Sequence, residues 1–257
     1  MFGILSALGQ EQGDLLARLV PSAPPRRIAR RDFHVGTLDG MPCTLVQSRI
    51  GKVAAATTAT LLIREFGVTH ILFVGLAGGL APALKVGDVV VATALIQHDL
   101  NAHPLFPKHE VPLLGRARFP TDTGLSALLA AHARQFLQDE AASMSTLLSS
   151  VPSVHQGLVA TGDQFIQSQT AAQALQAELP DALCVEMEGA AVAQVCHEMD
   201  IPLAVLRVIS DTAQDSAGMD FPAFLNGVAG VYANEIPTRV LRAWADKEMV
   251  SAGEGKA

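Results

Sequence analysis

Two glutamates two positions apart, Glu186 and Glu188, interrupt the apolar run CVEMEGAAVAQVC, Cys184 to Cys196. Buried carboxylates are costly unless paired, so each needs a protein partner or a ligand. With Cys184 to Glu188 extended, both side chains point to one face, and Gly189, Ala190 and Ala191 open a helix able to pack closely on a sheet. Arg207, itself set in an apolar strand, can neutralise one of them. A carboxylate left over at a strand end can accept two hydrogen bonds from a vicinal diol such as a ribose. Asp211 follows the apolar run PLAVLRVIS, where burial favours a protonated carboxyl that can act as an acid; its other reading is an N-cap for a short helix at TAQDSAG. Glu11, just beyond the first apolar run, is a third acidic candidate.

These residues need elements to hold them. Apolar runs of strand length, FGILSAL, MPCTLVQS, HILFVGL, DVVVATAL, VHQGLVATG, ALCVEM and PLAVLRVIS, alternate with helical segments. That pattern predicts an α/β protein with a largely buried sheet. Helices are expected from Gly51 to Gly67, from about Ser126 to Leu147 with a break, and near the C-terminus with an interruption at Pro237. In such sheets ligands gather beyond the carboxyl ends of strands. Four segments fall there: GLAGG (Gly75 to Gly79), GDQFI (Gly162 to Ile166), EMEG (Glu186 to Gly189) and Ser210 with Asp211. GLAGG permits close backbone approach to a ligand or makes a tight turn; it is not a dinucleotide fingerprint, because the following segment with Pro82 opens no long helix. GDQFI is a turn, or a place where Phe165 and Ile166 sandwich a flat ring. Gln97 to Pro120, with four prolines and three histidines, has no sustained period and is expected to be an irregular lid or subunit contact. Its histidines lack the spacing of a metal site.

With 257 residues, 49% hydrophobic and 17% charged, the chain can bury one sizeable core, which we place in residues 1–250 ahead of a polar, fraying tail at 251–257. The net charge of -7 gives no broad attraction for nucleic acid or anionic lipid, although PPRRIARR (Pro24 to Arg31) is a local basic patch that is either a solvated turn and strand or an anion site. Cys43, Cys184 and Cys196 are odd in number and unclustered, against a disulfide framework or zinc site, and fit a reducing cytoplasm. No apolar stretch is long enough to direct the chain into a membrane.

Taken together, GILSALGQEQ, RIGKVAAA, GLAGGLAPALKVGDVV, GDQFI, VEMEGAAVAQVC and RVISD resemble the nucleoside phosphorylase and hydrolase superfamily, and within it the 5'-methylthioadenosine/S-adenosylhomocysteine nucleosidase family. The resemblance runs in order from the first strand to about Phe224. It implies a single-domain, three-layer α/β/α fold with a mixed, partly barrel-like central sheet. It further implies a homodimer, a small adenine nucleoside as substrate, and no metal or other cofactor. Carried over residue by residue, Glu11 activates water, Asp211 with Ser210 beside it protonates the purine, and Glu188 holds the ribose diol with Met187 along the sugar. Phe165 and Ile166 take the adenine, Ala77 and Gly78 form the glycine-rich wall, and Ile50 and Phe221 line the pocket for the 5' substituent. Glu186 joins this substrate-binding set. Three features depart from the family pattern: GQEQ leaves Glu11 as the only carboxylate of its segment, Leu76 stands where a serine is usual, and the loop from His98 to Pro120 matches poorly. Arg49 lies near IGK, but no arginine-bearing phosphate entry loop is present, so water is the expected nucleophile. A purine nucleoside phosphorylase and a silent nucleoside-binding protein are the alternatives.

Overall fold

A computed structural model describes residues 1–140, 148, 150–212 and 230–254. Its strands are β1 (Phe2–Ser6), β2 (Val20–Pro21), β3 (Arg26–Ile28), β4 (Arg31–Leu38), β5 (Met41–Gln47), β6 (His70–Gly79), β7 (Val89–Gln97), β8 (Arg118–Pro120), β9 (Val154–Thr161), β10 (Ala182–Glu186) and β11 (Leu203–Thr212). The helices are α1 (Leu15–Arg18), α2 (Lys52–Phe66), α3 (Thr123–Asp139), α4 (Gln169–Glu178), α5 (Gly189–Glu198) and α6 (Gly230–Glu254), with a 3-10 turn at Gly9–Gln12. All seven apolar runs read from the sequence are strands.

The strands form one mixed sheet in the order β10-β9-β7-β11-β6-β1-β5-β4-β2, and β10 pairs again with β6. That second pairing closes β10, β9, β7, β11 and β6 into a five-stranded barrel, while β1, β5, β4 and β2 continue as an open wing. Closure demands local bends, and the register shifts at three places: between Ala92 and Ala94 in β7, Ala182 and Cys184 in β10, and Ile209 and Asp211 in β11. The last of these sets Asp211 opposite Gly78 and leaves Ser210 as the extra residue. A bulge thus re-aims the strand end that carries Asp211.

Period-2 alternation divides the core between the two faces of the sheet. Ile4, Leu72, Val74, Leu206 and Val208 meet α3 and α6 through Leu129, Phe136, Tyr232 and Ile236, whereas Leu5, Ile71, Phe73, Val205 and Ile209 meet α2 and α5 through Ala59, Leu62, Ala190 and Val192. Helix–sheet–helix layers follow directly. Helix α5 can sit close because it opens on glycine: a Cβ on Gly189 would lie 2.5 Å from Leu95.

Two helices differ from expectation. Helix α3 starts at Thr123 because the Asp122 side chain accepts the Leu125 N–H at 2.7 Å, and it ends at Asp139; residues 141–147 of the expected segment lie outside the described residues. Helix α6 continues through Pro237 instead of breaking, and it runs to Glu254, taking in the first residues of the polar tail. Proline forfeits one helical hydrogen bond, but Ala233, Ile236, Val240 and Leu241 anchor the helix to the core on both sides of it. The polar strand β4, absent from the sequence reading, pairs with β5 from Phe33 to Leu38. No described helix is long and apolar enough to cross a membrane.

Candidate active site

At the carboxyl ends of the barrel strands lies a cavity of about 240 Å³. Glu11, Glu188 and Asp211, which are distant in the chain, all line it. Ala77, Gly78, Ile50, Phe165, Ile166, Glu186, Met187 and Ser210 complete the expected set around the same space. Phe221 lies outside the described residues.

Glu11 sits on the 3-10 turn after β1, buried. Its Oε2 accepts the N–H groups of Ala7 and Leu8 at 2.8 and 2.7 Å, and its Oε1 accepts the Leu76 N–H at 3.1 Å. Three donors and no acceptor among the described residues suit a carboxylate. Burial pushes the Glu11 carboxyl above the usual carboxylate range, opposed by the Leu8 N–H, the Arg207 charge and the Leu76 and Ala7 N–H groups. A raised carboxyl is a stronger base, better matched to taking a proton from water near neutrality. Gly75 makes room for this arrangement: a Cβ there would lie 3.0 Å from Arg207 Nη1 and 3.1 Å from Glu11 Oε1. Leu76, the departure from the family pattern, contributes its backbone N–H, which every residue type but proline supplies.

The two glutamates of VEMEG part company. Strand β10 ends at Glu186, and Glu188 is the N-cap residue of α5, so the expected extension through Glu188 does not occur. The cause is Glu186 itself. Its carboxylate accepts the N–H groups of Glu188 and Gly189 at 3.1 and 2.8 Å, satisfying the first free donors of α5 and bending the chain into the helix. It also accepts the Thr161 hydroxyl and pairs with Arg207 Nη2 at 2.7 Å. Arg207 is fully buried, with its guanidinium 4.0 Å above the Phe73 ring. Glu188, in contrast, takes one described hydrogen bond, from the Gly51 N–H at 2.8 Å. Gly51 presents that N–H from φ +99°, a conformation open to glycine. Burial and then the Glu186 charge push the Glu188 carboxyl up to about 8, so near neutrality it favours its proton where a carboxylate was expected.

Asp211 is half-buried rather than enclosed, and its Oδ1 accepts the Ser210 hydroxyl at 2.7 Å. Phe165 stands at the mouth of the cavity, 68% exposed, on the turn after β9. That turn is tied to the start of α2: Asp163 Oδ1 accepts the Lys52 N–H at 2.8 Å, and Asp99 accepts both the Asp163 N–H at 2.8 Å and Lys52 Nζ at 2.6 Å. The irregular loop after β7 is therefore anchored to the site at Asp99, and His98 packs against Gly162. Farther along, His109 reaches Glu178 of α4 at 2.7 Å.

The backbone donors of Ala7, Leu8, Gly51 and Leu76 escaped the sequence reading, as did Thr161 and the cavity-lining Val185, whereas Gln164 lies inside the GDQFI segment singled out there. Backbone groups carry no signal in residue type; only Gly51 marks its position.

A model of the phosphorylase superfamily matches residues 1–236. A 5'-methylthioadenosine/S-adenosylhomocysteine nucleosidase of Anoxybacillus flavithermus is 34% identical over 224 residues, covering 86% of this chain and 89% of that protein. Among solved structures, the futalosine hydrolase of Helicobacter pylori is 33% identical with a TM-score of 0.78, covering 93% of this chain and 96% of the other. The 5'-methylthioadenosine/S-adenosylhomocysteine nucleosidase of Neisseria meningitidis, in complex with methylthio-immucillin-A, is 29% identical with a TM-score of 0.80, over 94% of this chain and 98% of the other. Fold, site and relatives agree, and the chain belongs to the phosphorylase superfamily.

Proposed function

We propose that this chain hydrolyses the N-glycosidic bond of adenine nucleosides bearing a 5' substituent, 5'-methylthioadenosine and S-adenosylhomocysteine foremost, releasing adenine and the 5-substituted ribose. The observation that carries this reading is the convergence of Glu11, Glu188 and Asp211 on one cavity whose mouth bears Phe165. The family of the chain and the activities of its relatives support it.

The reaction expels a poor leaving group from an oxocarbenium-like sugar. Asp211 donates a proton to N7 of the adenine as the C1'–N9 bond breaks and its electron pair enters the base. With Oδ1 engaged by Ser210, that proton rides on Oδ2. Water attacks C1', and Glu11, fixed by three backbone N–H groups, takes the water's proton. Glu188 holds the ribose hydroxyls, and Glu186 is a positioning residue that fixes the turn into α5. Proton transfer of this kind is worth about 10²- to 10⁴-fold. Asp211→Asn is expected to lower kcat by about that factor while keeping much of the nucleoside affinity; near-normal turnover would refute the acid role.

A phosphorylase reading is separated from this one by whether adenine release requires phosphate. The futalosine hydrolase likeness adds futalosine to the substrates to be compared, beside the adenine-bearing futalosine intermediate and 5'-deoxyadenosine, which share adenine and ribose with the favoured substrates. A homodimer fits the exposed apolar Val53 on α2 and Leu105 and Leu113 on the irregular loop, which would bring that loop beside the partner's site. Three buried free cysteines suit a cytoplasmic enzyme. Clearing a thioether nucleoside is a step that methionine salvage requires.

A further inference from the structure

The basic patch PPRRIARR is not absorbed by the catalytic cavity. Its last two arginines line a second cavity of about 300 Å³, between the Gly9–Gln12 turn and the facing ends of β4 and β5. The two cavities share no lining residue. They lie against one turn: Glu11 lines the first and Gln12 the second.

The second cavity has an excess of cationic and neutral donors. Arg30, Arg31 and Arg49 line it, and none of the three has a carboxylate partner among the described residues. The one acidic lining residue, Asp32, is paired with Arg27 at 3.6 Å. Arg31 is 9% exposed; its Nη1 and Nη2 donate to the carbonyls of Ala29 and Ala54 at 2.8 and 3.3 Å, and its Nε has no partner among the described residues. Arg49 donates to the Arg30 carbonyl. Gln12 is 7% exposed, and its amide Nε2 has no partner among the described residues either. Buried donors without acceptors are rare and costly, and two of them beside unneutralised guanidiniums call for an acceptor-only ligand with negative charge. Burial, and secondarily the neighbouring Arg49 charge, pushes the Arg31 pKa down.

We propose that this cavity binds an oxyanion of the phosphate class, held by Arg30, Arg31 and Arg49, with the Gln12 amide as a neutral donor. Guanidinium forks match phosphate oxygens, and the contacts are charge-assisted. The space exceeds a bare phosphate, so free phosphate and a small phosphate monoester are the two sources to compare. The ligand would steady the turn that carries Glu11. The binding claim stands whatever the reaction at the first cavity.

Calorimetric titration of the full chain at low ionic strength, with inorganic phosphate and with ribose 5-phosphate as separate probes, tests this. Saturable binding of at least one probe, one per chain, is expected, where chloride at matched ionic strength gives none. The tighter probe identifies the source. The exposed pair R30Q/R49Q should weaken binding at least about tenfold, and Asp211→Asn should leave it unchanged. Should that pair not fold, Gln12→Glu, which sets a carboxylate against the anion, is expected to abolish binding. No saturable heat with either probe, or unaltered affinity in R30Q/R49Q, would overturn the proposal. Binding lost in Asp211→Asn instead would assign the anion to the first cavity and overturn it equally.

Discussion

Glu186 and Glu188 lie two residues apart with the same 6% exposure, yet they occupy opposite situations. Glu186 closes β10 under Arg207, Thr161 and the first N–H groups of α5, and its bonding capacity is spent within the protein. Glu188 opens α5 with the Gly51 N–H alone among the described residues and faces the cavity. Burial therefore does not tell a structural carboxylate from a binding one. What separates them is the count of donors the fold supplies: a satisfied acid holds the architecture, and an under-supplied one waits for a ligand.

Breaking the satisfied member should cost most. Glu186→Gln leaves Arg207 charged and buried without its counter-ion, and a loss of about 3–5 kcal/mol in stability by denaturant unfolding is expected. A loss below about 1 kcal/mol would make the pair dispensable. Glu188→Gln sharpens the contrast from the other side. Stability near neutrality should not fall, because the amide mimics the protonated carboxyl and carries none of its loss above pH 4.5, whereas KM for 5'-methylthioadenosine should rise roughly 10- to 100-fold, the worth of a hydrogen bond to a charged group. Unchanged kinetics would move Glu188 into the structural class.

Gly75→Ala tests the space that lets Arg207 and Glu11 approach each other. Added atoms in a packed site cost about 1–3 kcal/mol, and here they displace the base as well as the ion pair. The expected result is a drop in kcat alongside a lower melting temperature; a fall in stability alone would show that Glu11 does not depend on this contact.

The last effect concerns pH. The Glu188 carboxyl rises from 4.5 to about 8 on folding, so the folded protein holds a proton that the unfolded chain releases between those values. Its contribution is fully present below 4.5 and is lost as pH rises through about 8. Stability of the ligand-free protein should fall by up to about 1.4 kcal/mol per pH unit across that window. Glu188→Gln should remove this part of the slope, and an identical slope in the variant would contradict the assignment. Hydroxyl groups donating to Glu188 favour its charged form, so nucleoside binding at pH 7 should release protons, less so in the variant.

Much of this was legible in residue order. The apolar runs marked the strands that form the barrel, and Glu11, Glu188 and Asp211 could be placed near strand ends because acidic residues after buried strands stand out, as does the aromatic Phe165 in the turn after β9. Three features were not legible. The stop of β10 at Glu186 depends on a side chain bonding backbone N–H groups ahead of it, which parity along a strand does not register. Helix α6 passes through Pro237 because packing on both sides outweighs one lost hydrogen bond. The fixing of Glu11 relies on backbone donors of Ala7, Leu8 and Leu76, which carry no residue-type signature.

The most direct test is adenine release from 5'-methylthioadenosine by the purified protein in phosphate-free buffer. The account predicts multiple turnovers, with a rate indifferent to added phosphate. Release that appears only with phosphate, or no release at all, would contradict it.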